Sequence, residues 1–219
     1  MSRTYENEPR SIIAAGLVIA AGMGRIGLAP KLFPAVELTL EERAKLTTIL
    51  AIDPGTEQSG WCVYRADKSI SGSGVAKNAD MLAMLRVLPF EILAIEMVAS
   101  YGMAVGREVF ETVRWIGRFQ QAWAEPDEVR LIYRRDVKLY LCGTAAAKDP
   151  NVRQALLDLY PATGGGATPQ VGTKSQPGPL YGMSSHTWPA LGVALTALHA
   201  AGHAVIKPVR QADLLGVAA

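Results

Sequence analysis

Cysteine is scarce in this chain. Only Cys62 and Cys142 occur among 219 residues, and neither sits in a CxxC or a Cys/His spacing. That argues against a disulfide scaffold and against a structural zinc site, and it fits a reducing cytoplasm. Long apolar runs are missing as well. Ile12 to Met23 falls short of the roughly 20 apolar residues that a bilayer-spanning helix needs, and Gly24-Arg25-Ile26 after it makes a poor signal-peptide cleavage region. No excess charge of one sign exists either: 22 Lys and Arg against 20 Asp and Glu leave a formal +2. A wholly basic or acidic tail protein is thereby excluded, though not a nucleic-acid partner, because such binding depends on where charge clusters. What is present is apolar material: 49% of residues are hydrophobic and 19% charged, enough for one well-filled domain.

The first 46 residues read as an N-terminal extension of no assigned role, and 207–219 as a C-terminal tail. Between them the pattern predicts a folded domain over 47–206. Thr48 to Asp53 (TILAID) is a short apolar run stopped by Pro54-Gly55, the mark of a strand buried on both faces. Ser59 to Arg65 and Lys68 to Lys77 are two further strands, joined to it by short polar turns as in an antiparallel meander. A short helix is expected over Asp80 to Val87, and a fourth, wholly apolar strand over Phe90 to Glu96. Gly106 to Ala124 reads as a long helix with Val109, Val113, Ile116 and Phe119 on one face. A fifth strand (Val129 to Tyr133) and helices at Arg135 to Cys142, Asp149 to Tyr160 and Thr187 to Ala201 complete the list. Thr163 to Tyr181, rich in Gly, Pro, Ser and Thr, is expected to be a flexible loop. The sum is an α/β chain: a mixed five-stranded sheet flanked by helices.

Two segments echo each other. Ile49-Leu50-Ala51-Ile52-Asp53 and Ile92-Leu93-Ala94-Ile95-Glu96 are near-copies, each a buried strand that delivers a carboxylate at its end. Neighbouring strands lie about 4.8 Å apart, so at equal depth the two carboxylates would face one another. Two such anions raise a pKa or recruit a cation, and for hard oxygen donors that cation is Mg²⁺ or Mn²⁺. His186 stands just before the last helix, whose first turn Pro189 marks; an imidazole there can bind a metal or move a proton.

These residues also carry a family resemblance. Asp53-Pro-Gly-Thr-Glu-Gln-Ser-Gly-Trp61 resembles the first motif of RuvC-type Holliday-junction resolvases, of the RNase H-like superfamily. Ala94 to Gly106 with Phe110-Glu-Thr is similar to the second motif of that family's phage and prophage branch. Arg134 to Gly143, Lys148 to Leu156 and Gly178 to Leu191 continue the likeness in order, over about Thr47 to Ala201. The resemblance implies an RNase H-like fold and a crossover-junction endonuclease. It implies two divalent ions per site, held by carboxylates from the first and fourth strands and the last helix. Asp53 and Glu96 match the first two ligands. In the last helix the family has His or Asp followed three residues later by Asp; His186 matches the former, but Pro189 fills the latter position and cannot ligate. Asp149 or Asp136 is then the candidate to complete the shell, with Asp149 also readable as a helix N-cap.

The implied reaction is in-line hydrolysis of a phosphodiester in a four-way or other branched DNA, by a homodimer with two sites. The long helix with Val109, Val113, Trp115, Ile116 and Phe119 is the candidate dimer element. Lys148 resembles a basic residue beside the scissile phosphate and joins Asp53, Glu96 and His186 as a candidate catalytic group. Arg107, Arg134, Arg135, Lys138, Arg153 and Lys174 are candidate phosphate contacts, and Tyr101 and Met103 could stack on or part bases. The charge is regional: seven basic residues against three acidic over 130–174, where a phosphate backbone could lie. Two other readings remain, a junction-binding protein impaired in catalysis by Pro189, and an actin-like ATP-binding fold. The second needs a later Asp-Gly phosphate loop and a duplicated domain that 219 residues do not supply.

Overall fold

Five strands hydrogen-bond into one sheet in the computed structural model, which describes residues 48–65, 67–88, 90–100 and 102–202. The expected extension (1–46), the tail (207–219), the domain edge at 206 and Tyr101 all lie outside the described residues. The strands are β1 (Thr48–Asp53), β2 (Gln58–Arg65), β3 (Ile70–Lys77), β4 (Ile92–Met97) and β5 (Arg130–Tyr133). Their spatial order is β3-β2-β1-β4-β5. The meander β1-β2-β3 is antiparallel, whereas β4 runs parallel to β1 and β5 parallel to β4. The mixed sheet expected from the sequence is therefore present, and its helices are α1 (Asn78–Val87), α2 (Arg107–Ala122), α3 (Arg134–Cys142), α4 (Asp149–Asp158) and α5 (Thr187–Ala200).

Period-two alternation splits β1 between two cores. Leu50 and Ile52 point to one face, where they pack with Leu93 and Ile95 against Met81 and Leu85 of α1 and Ile116 and Phe119 of α2. Ile49 and Ala51 point to the other, with Cys62, Tyr64 and Ala94, against Val137 and Leu141 of α3, Val152 and Leu156 of α4, and α5. Both faces are covered, so β1 and β4 are continuous apolar runs rather than alternating ones. Helix α5 is buried on nearly every side, from Thr187 to Leu198 with only Pro189 partly open, because it lies between the sheet and the outer pair α3 and α4. Each fully buried Leu or Ile in these layers contributes about 1.5–3 kcal/mol.

Two expectations need correction. On α2 the buried stripe is Thr112, Ile116 and Phe119, while Val113 faces solvent. A hydropathy pattern passes over threonine, whose small side chain is buried here as a valine's would be. The second correction concerns the stretch from Thr163 to Tyr181, which is folded on itself rather than loose. Gly164 N–H donates to Pro169 O, Gly165 and Thr173 N–H both donate to Gln176 O, and Gly178 N–H donates to Val171 O. A Cβ added at Gly164, Gly172 or Gly178 would come within 2.3–2.6 Å of facing backbone, and Leu180 closes the loop as a fully buried plug. The glycines there serve close backbone packing, not mobility.

Candidate active site

The two carboxylates arrive where the register puts them. Ile52 pairs with Ile95 across the parallel β1–β4 ladder, so Asp53 and Glu96 are the next positions on both strands. Alternation turns both toward the α3–α5 face, at the C-terminal rim of the parallel strands, where open α/β sheets bind their ligands. Their carboxyls lie close enough for each to act on the other's ionisation. Glu96 is only 9% exposed, and its Oε2 has no hydrogen-bond partner.

Residues that show no chemistry in the sequence hold Asp53 in place. Asn78, fully buried at the start of α1, accepts from Ser59 Oγ (2.7 Å) and donates from Nδ2 to Gly55 O (3.0 Å). It ties the Pro-Gly turn after Asp53 to the end of β3. Gly60 is Asp53's partner on β2, and the His186 carbonyl lies directly above it. Only a residue without Cβ lets that backbone come so close. The glycines of the Asp53-to-Trp61 motif are thus explained by geometry: Gly55 closes the turn, and Gly60 seats the entry to α5 over the strand. Ser184 and Thr187 lock that entry, Thr187 Oγ1 donating to Ser184 O (2.9 Å) and accepting from Ser184 N–H (2.8 Å).

The remaining candidates separate into those gathered at the pair and those held apart. His186 is exposed as the residue before α5, close enough to Asp53 to act on its charge. Arg134, read from sequence as a phosphate contact, instead enters the cluster as the first residue of α3. Its Nη1 stands 3.8 Å from Glu96 Oε2 and its Nη2 donates to Asp149 Oδ1 at 2.7 Å. Asp149 is the first residue of α4 rather than its N-cap; Lys148 holds the cap position, its backbone N–H donating to Asn151 Oδ1 (2.9 Å). The Asp149 side chain is 74% exposed and engaged by Arg134, which is 24% exposed. Asp136 lies exposed in the first turn of α3, where a carboxylate suits the helix dipole.

Lys148, Arg107, Arg135, Arg153 and Lys174 are exposed and Lys138 half-buried. Met103 is 73% exposed just before α2. Between α3, α4 and the start of α5 a cleft of about 610 Å³ opens beside Arg134 and Asp149, floored by Trp188 and Pro189. The Arg153 guanidinium stands over the Trp188 ring at 5.0 Å, a feature no sequence spacing announces.

The electrostatics follow from burial. Loss of solvent raises the pKa of Asp53, opposed by Arg134 and His186. Burial and then the neighbouring Asp53 raise that of Glu96, again opposed by Arg134. Asp149 moves the other way, held down chiefly by its hydrogen bond to Arg134. A buried and a half-buried carboxyl that resist ionising together are a site short of positive charge. Among the described residues, no three His, Cys, Asp or Glu side chains enclose a metal position. The donor pair still fits a hard divalent ion, since Mg²⁺ commonly takes one or two carboxylates and completes its shell with water and substrate phosphate. The orphaned Glu96 Oε2 is the acceptor such an ion would satisfy.

No family model and no curated protein sequence matches the chain. Solved structures do. "Thermus thermophilus RuvC structure" superposes with a TM-score of 0.52 at 20% identity, covering 74% of this chain and 100% of that one. "T. thermophilus RuvC in complex with Holliday junction substrate" gives 0.51 at 22% identity, with 74% and 99% covered. At this level of identity the likeness establishes architecture: the chain has the RNase H-like fold of RuvC.

Proposed function

We propose that this chain is a divalent-metal-dependent endonuclease that hydrolyses phosphodiesters in Holliday junctions or other branched DNA. The observation that carries the proposal is the Asp53–Glu96 pair, half-buried and buried in turn and short of positive charge at the rim of a sheet with the RuvC fold. One of the matching structures holds a Holliday junction substrate. Asp53 and Glu96 would hold the Mg²⁺ or Mn²⁺ ion, with His186 beside Asp53. When bound, that ion supplies Lewis acidity and lowers the pKa of water. Arg153, which lines the cleft of about 610 Å³, and Lys148, at the N-cap of α4, bind the backbone of the scissile strand, while Arg135, Lys138 and Lys174 extend the basic surface. Met103 is open for contact with bases.

Self-association uses the outer side of α2. Phe110 there is 64% exposed, and Val105 and Val113 are open nearby, an apolar face that no described element covers. Two copies joined through that face give the paired sites that a symmetric junction requires. Light scattering of the wild type and of Phe110→Glu tests this: a dimer should become a monomer.

A second reading has one observation in its favour. Pro189 occupies the last-helix position where the resemblance implies a carboxylate, which fits a junction-binding protein without cleavage. One experiment separates the two. Purified protein is incubated with a synthetic four-way junction and Mg²⁺ or Mn²⁺, beside Asp53→Asn and Glu96→Gln. Metal-dependent incision that both variants lose supports the nuclease. Tight binding without incision establishes the second reading, and cutting gained by Pro189→Asp would locate the defect.

A further inference from the structure

We infer that Arg134 is a built-in cation of the carboxylate site, standing in for a second metal ion, so that each site holds one divalent ion and not two. The inference deepens the nuclease reading and rests on it for the identity of the substrate. Its ion count can be tested without DNA.

Three observations support it. First, the guanidinium lies between carboxylates rather than toward solvent, with Nη1 3.8 Å from Glu96 Oε2 and Nη2 on Asp149 Oδ1. A cation in the first turn of a helix is placed against the helix dipole, so the flanking carboxylates are what hold it there. Second, among the described residues few donors are left for another ion once His186 is assigned beside Asp53 to the first. Pro189 has no donor to offer, and Asp149, the nearest further carboxylate, is already engaged by Arg134. Third, charge balances at one ion. Asp53, Glu96 and Asp149 ionised, with Arg134, sum to −2, which a single divalent ion neutralises; a second would leave +2 beside the buried Glu96.

The geometry also assigns Arg134 a task. Its Nη1 is buried with no hydrogen-bond partner, as is the Glu96 Oε2 it faces. An arginine with one arm fixed on Asp149 and the other turned to Glu96 is held in place, so its charge acts on the site through space rather than by touching the phosphate. Arg134 therefore places a permanent positive charge where charge builds up on the transferring phosphoryl group, without needing a ligand shell.

The test uses the full chain. Mn²⁺ binding is followed by calorimetry without DNA, and single-turnover incision of a four-way junction is measured at saturating Mn²⁺, for wild type, Arg134→Gln and Arg134→Lys. The wild type should bind one ion per chain. Arg134→Gln should bind it on the order of tenfold more tightly, because a neighbouring positive charge is gone. The same variant should cut roughly 100- to 1,000-fold more slowly, and Arg134→Lys should recover part of that rate. Tighter metal with slower cutting is a pattern that mere loss of structure does not produce. Two ions per wild-type chain, no ion at all, or weaker Mn²⁺ binding by Arg134→Gln would each overturn the inference. The two readings fail separately: one bound ion with an uncut junction sinks the nuclease, and two bound ions with normal cutting sink the role of Arg134.

Discussion

Replacing Gly60 by alanine tests whether the motif glycine shapes the site. The added Cβ would lie 1.8 Å from the His186 carbonyl oxygen and 2.8 Å from its carbon, and contacts under 3.0 Å essentially never occur. The His186 backbone must therefore retreat by more than about 1 Å. It has little room to do so. Helix α5 is wedged between the sheet and the outer helices, and Ser184 and Thr187 bind the turn before it in three places. Overpacking of this kind costs roughly 1–3 kcal/mol, and the rigid neighbours argue for the upper half of that range. A displacement of about 1 Å at the site should also slow the reaction on the order of 100-fold. Urea unfolding at constant slope measures the first effect and single-turnover junction incision the second. An alanine at 60 that left both the midpoint and the rate unchanged would refute the placement of His186 over β2.

The metal-free protein should lose stability as pH rises from about 4 toward 7. Burial pushes Asp53 up to about 6 and Glu96 up to about 7, so the folded state keeps protons that the unfolded chain releases at 3.8 and 4.5. The contribution is complete below pH 4 and gone above 7, about 3 kcal/mol for each carboxyl at most. Urea titrations of the wild type against the Asp53→Asn/Glu96→Gln double variant isolate it, and a flat difference across that range would contradict it. Added Mn²⁺ should raise Tm more at pH 8 than at pH 5, since only the ionised pair binds it. Leu180→Ala should cost 2–5 kcal/mol in urea unfolding and open 163–182 to proteolysis; a loop without internal structure would show neither. Asn78→Ala should cost about 1–3 kcal/mol and reduce incision, whereas Asp136→Asn should leave incision unchanged. Junction affinity should fall steeply with salt, with a log–log slope that flattens by about one for Arg153→Ala or Lys148→Ala.

Much of the fold was legible because the strands are short, apolar and bounded by turn residues. Near-identical pentapeptides in β1 and β4 gave away both the strand pair and the carboxylates, since parallel pairing of equal leaders puts their ends at equal depth. Local pattern could not show which charges share a space. Arg134 follows β5, so its position beside Glu96 depends on β5 pairing with β4, and its contact with Asp149 depends on how α3 meets α4. Counted along the chain it was one of seven cations over 130–174; in space it faces inward and leaves the DNA-facing set. Asn78 was hidden in the same way, an amide at a helix start whose partners lie 19 and 23 residues back. The glycine-rich loop misled for a different cause: composition marks where a chain turns, and not whether the turns then bind one another.

Helix α5 sets an order of events. It is the last element of the described chain, yet it fills the space over β1, β2 and β4 and brings His186 to Asp53. A nascent chain that has emerged only through α4 holds both carboxylates but leaves one face of the sheet bare. It has neither the stability to persist nor the completed rim. A protein read as a cutter of DNA thus acquires its working geometry at the same late step that closes its core, so partly made chains are both unstable and harmless. Coupling competence to completion needs no separate safeguard when a single buried helix performs both.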